Sequence, residues 1–80
     1  MSQTYIAGPA IAILRNTSRT AAHKAMRRGT YGRVLWHGRM AYVPLAALER
    51  ELGQRLTEDQ LTLASGRNPR RVIIVTTEAA

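Results

Sequence analysis

The stretch Asn-Thr-Ser-Arg-Thr-Ala-Ala-His-Lys-Ala-Met-Arg-Arg-Gly, residues 16–29, decides the fold of this 80-residue chain. A hydroxyl at Thr17 or Ser18 can cap a helix, because its oxygen accepts a hydrogen bond from a backbone N–H of the first turn. Gly29 is typical of the position just beyond a helix, where the backbone often turns left-handed. The stretch therefore predicts a helix from Arg19 to Arg28.

Apolar and polar side chains separate onto two sides of this predicted helix. One side carries small apolar residues, which allow another helix to approach closely: Ala21, Ala22, Ala25 and Met26. The other side is polar and basic, with residues at positions i, i+3, i+4 and i+7: Thr20, His23, Lys24 and Arg27. We expect the first side to pack and the second to face solvent or a partner.

A second, shorter helix is predicted just before this one. Pro9 suits the first position of a helix, and the apolar run of residues 10–14 needs burial. Asn16 can end the helix because Asn tolerates the left-handed conformation. Two short helices joined by such a turn form a helix-turn-helix. Residues 2–7 stay open at this point, either as a strand or as a segment packed on the first helix.

Residues 33–43 predict a β-hairpin, because β-favouring residues flank a turn that contains Gly38. We expect five residues to supply its buried face: Val34, Leu35, Trp36, Tyr42 and Val43. On this interpretation Trp36 packs within the protein and does not stack on bases. Arg33 lies at the base of the hairpin and Arg39 near its tip, where both can contact phosphate.

The rest of the chain predicts two more helices and a strand. Pro44 starts a third helix whose leucines recur every three or four residues, and Gly53 is a candidate end. Residues 57–60 match the capping-box pattern, and a short helical segment follows up to Ser65-Gly66. Residues 71–77 predict a strand. Its partner is either the hairpin sheet or another copy of the protein.

Charge is distributed very unevenly along the chain. Residues 1–48 contain seven Arg or Lys and no Asp or Glu, whereas residues 49–80 contain five of each, so the net charge of +7 lies in the first part. A polyanion is the expected partner of that part. Eleven of the twelve bases are Arg, which suits bidentate contacts to phosphate and guanine.

Other classes of function find little support in the composition. The chain has no Cys and two His, and it lacks a Gly-rich phosphate loop and a suitably spaced catalytic triad. We therefore expect no enzyme, no metal and no cofactor. No segment approaches the roughly 20 apolar residues of a membrane span, and the first residues lack the basic region of a signal peptide. These features predict a soluble, cytoplasmic protein.

Residues 10–52 resemble the winged helix-turn-helix of the MerR-like and phage excisionase group. The matching features are the basic pair and Gly at 27–29, the wing tip at 38–39, the return strand at 42–45 and the third-helix residues 48–49. The chain departs from the group at Asn16, where Gly is usual, and at Ala21 and Ala22, where Thr and Val are common. Residues 56–80 have no counterpart in the group.

The resemblance implies a single small α+β domain over residues 1–80, with its core at 8–56. Residues 57–80 would form a C-terminal extension with the strand 71–77. The resemblance further implies binding to double-stranded DNA, with helix 18–28 in the major groove and wing 33–43 on phosphate or in the minor groove. The protein would be an excisionase-like recombination directionality factor acting with an integrase, or a small transcription regulator, at the nucleoid.

Nine residues are the predicted DNA contacts, and most of them are basic. Thr20 and His23 are the expected readers of base edges, while Ser18 caps the helix first and binds phosphate second. Arg28 can also interact with the helix dipole. The full set is Ser18, Arg19, Thr20, His23, Lys24, Arg27, Arg28, Arg33 and Arg39.

Two alternatives stay open. One is a DNA-recognition subunit of a phage packaging complex, in which the C-terminal strand would join copies into a ring. The other is an RNA-binding protein, which the small number of aromatic residues disfavours, since the chain has one Trp, three Tyr and no Phe. Self-association through the strand 71–77, or cooperatively on DNA, is compatible with either role.

Overall fold

A computed structural model describes residues 2–76 of the chain and shows a small α+β domain, as predicted. The elements, in chain order, are β1 (Ser2–Ala7), α1 (Gly8–Leu14), α2 (Arg19–Arg27), β2 (Leu35–His37), β3 (Met40–Pro44), α3 (Leu45–Leu52), α4 (Glu58–Ser65), a single 3-10 turn (Pro69–Arg71) and β4 (Val72–Thr76). None of the described helices has the length and apolar character that a membrane crossing requires.

Within residues 2–76, four antiparallel strands form one sheet in the order β2-β3-β1-β4. The residues of β1 pair on both sides, so that Ile6 lies opposite Val43 of β3 and opposite Val72 of β4. Residues 2–7 are therefore a strand, and β4 finds its partner within its own chain. Arg71 belongs to the 3-10 turn instead of the predicted strand, and Thr77, the last predicted strand residue, lies outside the described part.

The core lies where the sheet meets the helices. Ile6 and Val43 from the sheet and Ile11 from α1 are completely buried. The helix α1 packs against both α2 and α4, and α3 packs against β1 and β3. Leu48 of α3 and Ala64 of α4 complete the same apolar cluster. The last helix and the last strand thus share one core with the first elements of the chain.

Local hydrogen bonds set the helix ends near the positions that the sequence predicts. Asn16 is left-handed, with φ of 52°. Ser18 Oγ accepts from the backbone N–H of Ala21 at 3.1 Å. α2 ends at Arg27, so Arg28 is its C-cap and not its last helical residue. The connection between α1 and α2 is thereby held at both sides.

The third and fourth helices also begin and end close to prediction. Pro44 ends β3 and is the N-cap of α3, so the helix begins one residue later than predicted, at Leu45. Gly53 ends the helix with φ of 73°. The capping box is confirmed: Thr57 Oγ1 accepts from the N–H of Gln60 at 3.2 Å, and Gln60 Oε1 accepts from the N–H of Thr57 at 2.8 Å. Residues 69–71, predicted as part of a loop and the start of a strand, form the 3-10 turn.

The predicted buried face of the hairpin is wrong for two of its five residues. Tyr42 and Val43 are buried and Val34 is half-buried, but Leu35 is 38% exposed and Trp36 is 68% exposed. Successive residues of a strand point to opposite faces of the sheet, so Leu35 and Trp36 cannot share one buried face. The strand β2 is moreover a three-residue edge strand. The interpretation of Trp36 as a packing residue is therefore also wrong.

Candidate nucleic-acid interface

The helix α2 packs against the core through one narrow side. Ala22 and Met26 are 1% and 4% exposed and belong to the apolar core, and Ala25 is half-buried against it. Ala21, which was predicted to share this stripe, is exposed. Since α2 packs against α1 through this side, the remaining surface of the helix faces outward.

All nine predicted contact residues are exposed, and the six of them within and directly after α2 form two rows. Residues four apart in a helix lie above one another on the same side. One row is Arg19, His23 and Arg27, and the other is Thr20, Lys24 and Arg28. The first row lies closer to buried Met26. His23 and Arg27 of this row line a groove together with Trp36 of the hairpin.

His23 is exposed, yet it also connects α2 to the beginning of α1. Its Nδ1 lies 2.7 Å from the carbonyl oxygen of Arg19. Because a carbonyl only accepts hydrogen bonds, Nδ1 carries the proton. The other edge of the ring lies on Gly8, where an added Cβ would come within 2.6 Å of Nε2. This packing restricts the ring, so His23 has less freedom to read a base than the exposed Thr20.

Ser18 and Arg28 occupy the two ends of α2. The Ser18 oxygen accepts the capping bond from Ala21, which leaves its hydroxyl proton able to donate to an anion. At the other end, Lys24 and Arg27 lie in the last turn, where the negative end of the helix dipole favours cations. These positions agree with the predicted cap and leave the charged groups at the surface.

The two predicted contact residues of the hairpin lie at its opposite ends. Arg33 lies in the segment between α2 and β2, and Arg39 lies in the two-residue turn between β2 and β3. Gly38, the first residue of that turn, has φ of 63°, which matches the glycine preference of a type II′ hairpin turn. The turn therefore holds Arg39 at the tip, as predicted.

Between α2 and the hairpin lies a surface groove, here called the α2–hairpin groove. One part has a volume of about 400 Å³ and is lined by residues that include Met26, Arg27 and Val34. A second part of about 170 Å³ is lined by residues that include Pro9 and Arg39. Sequence reasoning missed this groove. The alternation of side chains places Trp36 on the sheet face of buried Val43, so no local pattern indicates that Trp36 is exposed.

One basic residue close to α2 has a structural contact. The Arg15 Nη1 donates to the Tyr31 hydroxyl at 2.5 Å, and the Arg15 guanidinium carbon lies 5.8 Å from the centre of the Tyr31 ring. Tyr31 is 2% exposed and belongs to the core. Arg15 therefore helps to hold the end of α1 near the segment that follows α2, which sets it apart from the bases of the two rows.

The chemistry of this surface is that of an exposed cationic face. The first 48 residues contain no acid, so no carboxylate from this part of the chain neutralises the rows or the hairpin. In the part of the chain that the structure describes, no group of three or more His, Asp and Glu side chains could hold a metal ion. The arrangement can bind an anion through several separate arginines.

Comparisons with protein-family models, with curated proteins and with solved structures find no match for this chain. The resemblance of residues 10–52 to the MerR-like and excisionase group therefore stays a prediction.

Proposed function

We propose that this protein binds duplex DNA as a winged helix-turn-helix domain, with α2 in the major groove and the β2–β3 hairpin as the wing. One observation carries the proposal. The exposed side of α2 is basic, and it lies beside a hairpin with an arginine at its tip, in the part of the chain that has no acid. Counterion release from DNA phosphates favours binding of such a surface.

The two rows of α2 contact different parts of the DNA. Thr20 and Lys24 belong to the second row, which lies farther from the packed side of the helix. They reach the base edges or the phosphates that flank them. Arg27 belongs to the first row, the one closer to Met26. It lines the α2–hairpin groove and can contact the phosphates of a strand that passes α2. Ser18 and Arg19 bind phosphate at the beginning of the helix.

The wing contributes contacts outside the major groove. Arg39 at the hairpin tip and Arg33 at its base are exposed and several residues apart, so they reach phosphates or the minor groove at separate points. Contacts to phosphate fix the position of a protein on the duplex without reading its sequence. The wing therefore sets how α2 lies in the groove.

Among DNA-binding roles, the resemblance favours an excisionase-like directionality factor acting with an integrase, or a small transcription regulator. Footprinting on the DNA around the protein's own gene separates the two. Repeated protected sites beside an integrase attachment site support the first, whereas a single site over a promoter supports the second. Self-association through β4 would use the outer edge of that strand, because β1 occupies the other edge, and the mass in solution measures it.

The experiment that tests DNA binding is a titration of labelled duplex over a series of salt concentrations. We expect log Kd to change with log salt by about 0.9 for each phosphate neutralised. Arg27→Ala should weaken binding about tenfold, which corresponds to roughly 1.4 kcal/mol. Arg50→Ala is the matched control, since Arg50 is an exposed base on α3 in the electrically balanced part of the chain.

Equal losses in the two variants would mean that only the total charge matters, and an unchanged affinity of Arg27→Ala would remove α2 from the interface. Competition with duplex RNA is the second measurement. A preference for RNA would contradict the proposal, because the deep, narrow major groove of an RNA duplex does not admit a helix.

A further inference from the structure

Trp36 is the one tryptophan of the chain, and its side chain is 68% exposed. It lies opposite Ala41 in the β2–β3 ladder, on the sheet face that also carries Val43. On that face Val43 is buried by the helices, whereas Trp36 lies nearer the hairpin tip, where this cover ends. A single exposed apolar residue is ordinary at a protein surface, so the surroundings of Trp36 decide whether it is a contact site.

The surroundings of Trp36 have a specific order. Both parts of the α2–hairpin groove are lined by His23, Trp36 and Ala41. One part then continues to Arg27 and the other to Arg39. Trp36 therefore lies in the middle of the groove, between two parts that each contain one arginine.

This order of groups matches the backbone of a DNA strand. Along a strand, phosphates alternate with deoxyribose rings, whose carbon atoms are largely apolar. The arginines suit the phosphates, and the indole offers an apolar face to the sugar between them. The match to a base edge is poorer, because the indole has one N–H donor and no acceptor, and base edges are recognised by pairs of donors and acceptors.

We propose that one DNA strand runs along the α2–hairpin groove, with the Trp36 indole packed against its deoxyribose rings and with Arg27 and Arg39 on phosphates at either side. This inference rests on the proposed binding of duplex DNA and defines where the strand passes between helix and wing. It makes Trp36 a source of affinity that depends neither on salt nor on base sequence.

The test uses the emission of Trp36 itself during titration of the complete protein with duplex DNA. We expect a clear change in its intensity or wavelength that saturates together with binding. Trp36→Ala should weaken binding about tenfold, the size typical of an interface anchor. Its salt slope should stay unchanged because no charge is lost, whereas Arg39→Gln should reduce the slope by about 0.9. Trp36→Phe should keep most of the affinity.

Leu35→Ala is the matched control, since Leu35 is the neighbouring residue of β2 on the opposite sheet face. It should bind like the unchanged protein. If duplex DNA binds while the Trp36 emission does not change and Trp36→Ala binds normally, the strand path is wrong and DNA binding stands. If no duplex binds at any low salt concentration, the proposed function itself is wrong. Because the emission measurement uses the unchanged protein, misfolding of a variant cannot obscure the result.

Discussion

The α2–hairpin region and the α4–β4 region both leave large apolar side chains in water, yet they differ in what surrounds those side chains. Trp36 is 68% exposed, and Leu63 of α4 and Ile74 of β4 are 75% and 70% exposed. Arginines and a groove surround Trp36, whereas Leu63 and Ile74 belong to the part of the chain whose charges balance. Exposure of an apolar residue therefore points to a binding site only together with its charge environment.

The two regions also differ in what they do for the fold. The strand β4 pairs with β1 along five residue positions, and Val72 and Ala64 pack into the core. In α2 only one narrow side packs, and the charged residues stay outside. We therefore expect substitutions in the α4–β4 region to change the free energy of unfolding, and substitutions on the outer side of α2 to change DNA affinity. The following variants test this division.

The largest expected effect comes from Val72→Asp. Val72 is half-buried against the core and lies opposite the fully buried Ile6. Aspartate at this place loses the apolar contact with the core and takes a charge partly out of water, so we expect a loss of about 3 kcal/mol in the free energy of unfolding. Urea denaturation followed by circular dichroism measures it. Where the variant is still folded, its DNA affinity should be unchanged.

Ile74→Asp is the control for this prediction, because it makes the same kind of change at an exposed position of the same strand. It should cost less than about 1 kcal/mol. Equal losses in the two variants would contradict the packing of β4 described above.

Gly8→Ala should have a smaller effect on the free energy of unfolding, about 1 kcal/mol. This variant should change both stability and DNA affinity. The added Cβ would lie 2.6 Å from Nε2 of His23, so the ring has to move and loses its bond to the Arg19 carbonyl. Thermal denaturation should show a loss of stability. DNA affinity should fall with it, because His23 also lines the α2–hairpin groove.

The same change in a His23→Ala background should cost much less stability. Without the ring there is no clash, and the remaining cost is that of placing a Cβ before Pro9 at the first position of the helix. A double-mutant cycle measures this coupling. An equal loss of stability from Gly8→Ala in both backgrounds would show that the close contact with His23 is not its cause.

Thr57→Ala should cost a similar amount of stability to Gly8→Ala but leave DNA affinity unchanged. It removes the oxygen that accepts from the N–H of Gln60 at the beginning of α4, which costs about 1 kcal/mol for a typical N-cap. Thr62→Ala makes the same chemical change in the interior of α4, where Ala is a better helix former. Chemical denaturation should show a loss for the first variant and none for the second, and a change in DNA affinity by either would contradict the division of roles.

The sequence by itself determined the parts of the protein that depend on near neighbours in the chain. The caps at Ser18 and Thr57, the left-handed Asn16 and the end of α3 at Gly53 were all predicted. Each rests on groups at most four residues apart, or on one residue's backbone preference. The exposed side of α2 was also predicted, because the helix period places its polar residues together.

Only the tertiary structure decided which distant segments meet. β4 pairs with β1 from the other end of the chain, and the Tyr42 hydroxyl donates to the Arg70 carbonyl at 2.5 Å across 28 positions. The same holds for His23 on Gly8 and for the groove that makes Trp36 a candidate contact. Strand pairing and side-chain packing depend on which surfaces remain after the whole core has formed. A local pattern specifies that a residue needs a partner, whereas the complete fold selects the partner.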